Sequence, residues 1–336
     1  MLLASRWKIV ATIVAILVIV VFPLVFTNPS VTDIAIFALM YMTTSSAWNG
    51  FAGSSGYFSL GHAIFFGVGA YAFALITTHF NMQGTSSLFW LLPVAGVVAM
   101  VFALAIGAIA LRTRRHTFVV ITIGFFFVFQ LLAFNLNFTQ GATGIQVPGP
   151  NNWDAATFNN PYYYAAAIVL GFTVLMYWVI RRSSFGLQLM SIRDDEDRAR
   201  GLGVPVWRVK LSAFVISAFP VGMIGALWAF LIGQVYPQTV FNPLFDLSWA
   251  LMTLVGGLGT LIGPLLGGLV LESVQQYLNL YLSNVDIYLI VYGVVFLGVM
   301  FWMPRGVIPT VQDALKRRRV AKSIDSSPPT NGSSSE

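Results

Sequence analysis

Cysteine is absent from the 336 residues, which excludes disulfides and thiolate metal sites. Charge is scarce as well: only 9% of residues carry it, against about 25% in soluble domains. Between Ile34 and Leu111 there is no Asp, Glu, Lys or Arg, whereas eleven charged residues crowd between Arg181 and Lys210. No G-x-x-x-x-G-K-[ST] loop occurs, so no P-loop nucleotide site is written into the chain. A soluble domain scatters charge over its surface. This pattern instead predicts a polytopic membrane protein with a few large aqueous loops.

Hydrophobic residues make up 57%, and apolar stretches of 18 or more recur along the chain, each a candidate transmembrane helix. They are too long and too uniformly apolar for barrel strands. The expected fold class is therefore all-α, with spans near 9–26, 31–49, 62–79, 88–111, 117–138, 162–180, 208–233, 246–262, 264–282 and 286–303. The first of these is read as a span rather than a signal peptide, because the run is long and lacks an A-x-A cleavage signature.

Charge tests the count. Basic clusters lie at Arg6/Lys8, Arg112/Arg114/Arg115, Arg181 to Lys210 and Arg305 to Lys322. Ten crossings with both termini cytoplasmic put every cluster inside. The opposite loops then hold one charge, Asp154. Nine or eleven crossings would place a basic cluster outside, against the positive-inside rule. The same rule accounts for the net charge of +6 without nucleic acid. The expected organisation is a transmembrane domain over 1–310, with a cytoplasmic loop at 181–208, and a basic, then disordered tail over 311–336. Lys316-Arg317-Arg318-Arg319 reads as an anchor to anionic membrane lipid.

Four features point to function. Gly50, Gly53, Gly56, Gly61, Gly67 and Gly69 crowd a stretch that also holds Ser59 and His62. Either an interrupted helix lining a path or close small-residue packing fits them; His62 alone reads as a hydrogen-bonded structural histidine. A second glycine stretch, Gly256 to Pro264 and then Gly267-Gly268, suggests another broken or tightly packed hairpin. Glycine-interrupted segments in both halves of a transporter point to the translocation path. Glu272 lies mid-span, where a carboxylate is costly and marks either function or a buried interhelical bond. In the charged loop, Ser184 is expected to cap a short helix, Asp194/Arg198 and Glu196/Arg200 to support it as i,i+4 pairs, and Gly203 with Pro205 to end it. Consecutive carboxylates over 194–197 point in different directions, so a metal site is not expected there.

These stretches, in this order, resemble the permease of the branched-chain amino acid ABC importer family, within it the LivM-type subunit, over about residues 30–310. The family's S-L-G-H-A-x-F-F-G-x-G-A-Y stands as Ser59 to Tyr71, its L-R-T-R-G-x-x-F as Leu111 to Phe118, and its T-G-G-x-x-G-I as Thr139 to Ile145. Its I-R-x-D/N-E and A-x-x-x-G match Ile192, Arg193, Asp195, Glu196, Ala199 and Gly203; G-G-x-G-T-x-x-G-P is Gly256 to Pro264, and P-R-G is Pro304 to Gly306. The chain departs from the pattern at Arg115, Phe127, Gln130 and Arg198.

The resemblance implies a bacterial or archaeal inner-membrane subunit without catalytic residues or cofactor of its own. It would work by alternating access with separate ABC ATPases, a homologous LivH-like second permease and an external solute-binding protein. Arg193, Asp194, Asp195, Glu196, Ala199 and Gly203 would form the ATPase-coupling helix. Ser59, Gly61, His62, Thr122, Gly144 and Glu272 are the candidate pathway residues. The solute is left open among branched-chain amino acids, urea, amides and aromatic acids. Two other classes are compatible with the residues: a secondary carrier needing no ATPase, and an intramembrane serine protease using the Gly53-Ser54-Ser55-Gly56 pattern with a histidine base.

Overall fold

The computed structural model describes residues 17–26, 28–82, 84–150 and 158–281, and scattered positions between 290 and 310. Residues 9–16 of the expected span 9–26 and most of the expected span 286–303 lie outside the described residues, and the tail over 311–336 lies wholly outside them.

Eleven helices are described over Pro29–Tyr281: α1 (Pro29–Ser55), α2 (His62–His79), α3 (Leu92–Ala110), α4 (Arg115–Asn135), α5 (Asn160–Arg182), α6 (Ser184–Asp194), α7 (Glu196–Gly201), α8 (Val206–Ile232), α9 (Pro237–Val240), α10 (Pro243–Gly256) and α11 (Gly263–Tyr281). A two-residue ribbon pairs β1 (Ile145–Gln146) antiparallel with β2 (Gln234–Val235). Among the described residues, five helical stretches are long and apolar enough to cross a membrane: His62–His79, Ser86–Ala110, Arg115–Asn135, Asn160–Arg182 and Val206–Ile232. The chain is thus a multi-pass, mostly helical protein. α1 has the length but carries buried Thr43, Thr44, Ser45, Ser46 and Asn49, a polarity that requires protein on all sides rather than lipid.

The architecture follows from which helices are small-residue-rich. α1, α2 and α8 are buried nearly throughout, and α3, α4 and α5 pack outside them with apolar residues facing away. A Cβ on Gly69 would overlap the backbone of Gly222, and one on Gly225 the backbone of Phe66. α2 and α8 therefore touch backbone to backbone, as small residues allow. Local signals set the ends. Asn28 accepts from the Ser30 N–H at 3.1 Å ahead of Pro29, and Asn242 from that of Leu244 at 3.0 Å ahead of Pro243, the Asn-cap, Pro-first arrangement. Lys210 sits near the start of α8 and β2 just beyond its end. The bundle therefore has a charged end and a ribbon end, about 40 Å apart.

Two expected elements are corrected. The span 31–49 continues as helix to Ser55: Gly50 and Gly53 are helical and serve packing, against the Tyr177 ring and the Gly259 backbone. The break begins at Gly56, with φ 73°. The span 246–262 is not one helix. α10 has 14 residues, about 21 Å at 1.5 Å per residue and short of an apolar core of about 30 Å. Gly257 at φ 124° and Gly259 at φ 76° end it, and α11 starts only at Gly263.

Gly225→Val should separate α2 from α8, lowering stability by about 1–3 kcal/mol and the thermal midpoint of the purified protein in detergent. Gly171→Val, where a Cβ meets nothing within 4 Å, should leave the midpoint in place.

Candidate functional site: two helix breaks held by one helix pair

The first break runs from Gly56 to Gly61. It brings together four of the residues expected to matter: Ser59 and Gly61 within it, His62 at the start of α2 and, facing them from α4, Thr122. Thr122 Oγ1 accepts from the Leu60 N–H at 3.2 Å and donates to the Val119 carbonyl at 2.9 Å. A Cβ on Gly61 would press on the Thr122 carbonyl, so only glycine lets the chain pass. The Ser59 carbonyl accepts from the Trp48 indole N–H at 2.8 Å. His62 is fully buried among Phe51, Phe65 and Phe214, with Nε2 2.9 Å from Ser217 Oγ. Its Nδ1 has no hydrogen-bond partner among the described residues. Ser55 Oγ donates to the Phe51 carbonyl at 2.7 Å, so the described contacts do not assemble a serine–histidine pair there.

The carboxylate of Asp246, on the first turn of α10, completes this break. Both its oxygens accept from the Ala63 N–H at 3.2 Å, at the start of α2. Asp246 is the only charged residue between Lys210 and Glu272. That isolation was the available signal, and its place at the edge of an expected span concealed it.

The second break, Gly257 to Ile262, is clamped by Asn49. Its Nδ2 donates to the Thr260 carbonyl at 2.7 Å and its Oδ1 accepts from the Gly259 N–H at 2.8 Å. Thr260 Oγ1 bridges the Gly257 carbonyl and the Gly263 N–H at 2.8 and 3.0 Å. These bonds replace the helical ladder lost at the glycines.

Both breaks meet α6 and α7. The pair is capped by Ser183, which accepts from the Gly186 N–H at 3.4 Å, not by Ser184, which is the first helical residue. It is split by Asp195, whose side chain accepts from the N–H groups of Asp197 and Arg198 at 3.1 and 3.0 Å. Arg198 pairs with Asp195 at 3.0 Å rather than with Asp194; the Arg200–Glu196 pair is present at 3.2 Å. Arg193 Nη1 donates to the Gly53 carbonyl at 2.7 Å and lies against Gly259, so one guanidinium touches the flanks of both breaks. Arg115, where the family pattern has glycine, donates to the Ile192 and Arg193 carbonyls at 2.8 and 2.6 Å.

Glu196 turns inward. It accepts from the Tyr57 hydroxyl and, at 3.1 Å, from Lys210 Nζ, which also bonds the Tyr57 hydroxyl at 2.8 Å. The Lys210 side chain is 3% exposed and that of Glu196 19%. Burial pushes the Glu196 carboxyl pKa up, but the hydrogen bonds from Tyr57 and Lys210 and the charges of Lys210 and Arg200 outweigh it and hold it below 4.5. Ala199 is buried too. Of the expected coupling residues, Asp194, the exposed part of Arg193 and Gly203 with φ 85° face outward. So do Leu187, Met190 and Leu202, the last 83% exposed.

Gly144 and Glu272 are not part of this cluster. Gly144, at φ 69°, lies under the Tyr236 ring at the ribbon end. Glu272 is buried on α11, accepts from Gln276 Nε2 at 2.8 Å, and its Oε2 has no partner among the described residues. Gln276 lines a cavity of about 260 Å³ between α1, α2, α8, α10 and α11. The departing positions on α4 are explained in part: Gln130 donates to the Phe241 carbonyl at 2.7 Å, and Phe127 faces outward.

The sequence model of the family described as branched-chain amino acid transport system / permease component matches residues 30–300. The chain belongs to that family. It is 29% identical over 322 residues to the high-affinity branched-chain amino acid transport system permease protein LivM of Escherichia coli K12, covering 86% of this chain and 72% of that protein. It is 30% identical over 338 residues to LivM of Salmonella typhimurium LT2, covering 90% and 76%. The L-arabinose ABC transporter permease protein AraH of Azospirillum brasilense is 31% identical over 140 residues, 40% of each chain. No solved structure matches significantly. The chain is thus an ABC-type transport permease of the multi-pass membrane class.

Lys210→Met should cost about 1–3 kcal/mol by removing the buried partner of Glu196, which keeps only the Tyr57 hydroxyl and the exposed Arg200, and Glu196→Gln/Lys210→Met should recover most of it; thermal unfolding of the four proteins closes the cycle. Because the Glu196 value is depressed in the fold, its stabilisation is complete above 4.5 and disappears as pH falls through the lower folded-state value. Glu196→Gln should flatten the acid limb of the stability profile.

Proposed function

We propose that this permease is the membrane subunit of a binding-protein-dependent ABC importer. It moves branched-chain amino acids or a related small polar solute by alternating access, with ATP hydrolysed on partner chains. One observation carries the reading: the α6–α7 pair hydrogen-bonds on its inner face to Gly53 and Tyr57, lies against Gly259, and exposes Leu187, Met190 and Leu202 on its outer face. Exposed apolar side chains beside charge are the chemistry of a docking face.

The charged end is the cytoplasmic end in this reading, consistent with Arg112, Arg114, Arg115, Arg181 and Arg182 gathered there. An ATPase that engages the pair and then moves would pull through Arg193 on Gly53 and Gly259, and through Glu196 on Tyr57. Both breaks would shift together. A homologous second permease and lipid would cover the outward apolar faces of α3, α4 and α5, and a solute-binding protein would deliver cargo at the ribbon end. The LivM relatives support branched-chain amino acids as the first solutes to test. AraH, an arabinose permease, is a reminder that the scaffold also serves sugars.

The test is ATP-driven uptake of leucine in proteoliposomes containing this chain, its partner permease, the ATPases and the binding protein. Leu202→Asp should fold normally, since Leu202 is 83% exposed, but lose ATPase co-purification by a hot-spot increment of about 2 kcal/mol, roughly 30-fold in affinity, and lose uptake with it. Uptake that persists without ATP or partners would establish a secondary carrier instead.

A further inference from the structure

A narrow cleft lies between α1, α5 and the second break. Its polar lining is Ser46, Asn49, Ser54, Tyr177 and Arg181, with Val174 and Leu261 as apolar walls. Four hydroxyl residues run consecutively on α1 here. Thr43, Thr44 and Ser45 turn back onto the carbonyls of Leu39, Met40 and Tyr41 at 2.7, 3.1 and 2.5 Å, the local bond open to a hydroxyl inside a helix. Ser46 does not. Its Oγ is buried and has no hydrogen-bond partner among the described residues, and the residue lines the cleft. A buried hydroxyl without a partner is costly, so Ser46 points to an acceptor oxygen that enters the cleft.

The other lining groups say what carries that oxygen. Asn49 gives one amide N–H to the Thr260 carbonyl and its oxygen to the Gly259 N–H, which leaves its second N–H. Tyr177 gives its proton to the Ala47 carbonyl at 3.1 Å, so its oxygen can only accept. Ser54 can do either. Charge therefore decides. Arg181 is the charged group of the lining, and among the described residues no Asp or Glu joins it. Beside it, Arg182 lies 4.0 Å over the Trp178 ring. Among the described residues neither arginine is in an ion pair. The free space in the cleft is about 10 Å³, about one water, so a whole solute does not enter and the anionic group stays at the mouth. Away from the two arginines, α5 continues with exposed Leu175, Phe172 and Ile168. Uncompensated arginines, a tryptophan beside them and an apolar helix face beyond suit a phosphate that carries hydrocarbon.

We infer that this cleft is a site for an anionic phospholipid. Arg181 and Ser54 hold the phosphate, Ser46 donates to an ester oxygen deeper in the cleft, and the acyl chains follow the apolar face of α5. The orientation rests on the permease reading above, which puts this end of the bundle at the cytoplasmic surface. Asn49 lines the cleft while it clamps Gly259 and Thr260, so an occupied site steadies the second break.

The thermal midpoint of the full chain in detergent, titrated with lipid, tests this without ATP or partners. Phosphatidylglycerol should raise the midpoint saturably. Phosphatidylcholine, whose ammonium would meet Arg181 and Arg182, should not, and inorganic phosphate, which lacks acyl chains, should not. Arg181→Gln should weaken the apparent affinity for phosphatidylglycerol about tenfold, the increment of one charge-assisted hydrogen bond. Arg112→Gln makes the same charge change at an exposed residue outside the cleft and should leave the affinity in place. Ser46→Ala removes a buried hydroxyl without a partner, so it should raise the midpoint in the absence of lipid and shrink the rise that phosphatidylglycerol produces. Equal stabilisation by phosphatidylcholine, a matching response to inorganic phosphate, equal losses in Arg181→Gln and Arg112→Gln, or an undiminished rise in Ser46→Ala overturns the site. ATP-driven uptake, measured separately, decides whether the importer reading falls as well.

Discussion

Backbone amides away from water must find partners, and this molecule interrupts its helices where water is excluded. That constraint organises the rest. At the first break the debt is met by Thr122, Trp48 and Asp246; at the second by Asn49 and Thr260. Thr122, Asp246 and Asn49 reach their breaks from three separate helices, so these contacts exist only when the bundle is assembled. Unsatisfied groups in such surroundings cost several kcal/mol each. This explains why polar residues accumulate on α1, the helix that sees both breaks, while α3, α4 and α5 stay apolar.

The same logic explains the charged helix pair. Arg193 and Arg115, though in part solvent-exposed, donate to carbonyls of the segments beside them. Glu196 and Lys210 pair inward around the Tyr57 hydroxyl. The outer face keeps both kinds of side chain: Asp197, Arg198 and Arg200 stay exposed beside Leu187, Met190 and Leu202.

Much of this was legible in the sequence. Composition and charge spacing gave the helical membrane class, and the glycine clusters marked both breaks, because glycine is where a helix can end in positive φ or another backbone can approach. Residue contacts were less legible. Asn49 carries no signal that separates a backbone clamp from any polar residue on a helix. Asp246 is alone in its stretch but stood at a boundary. Glu196 and Ala199 matched a coupling pattern, yet a pattern does not say which side of a short helix faces in. The 246–262 stretch looked like a span by hydropathy, since hydropathy does not register that Gly257 and Gly259 leave the helical region.

Arg193 joins positions about two hundred residues apart in the chain through one planar group. Planarity matters here. A flexible ammonium could follow one backbone and release the other, but a rigid fork bonded to α1 transmits rotation as well as pull. Any displacement of Gly53 relative to Gly259 must therefore be accommodated around this single planar group.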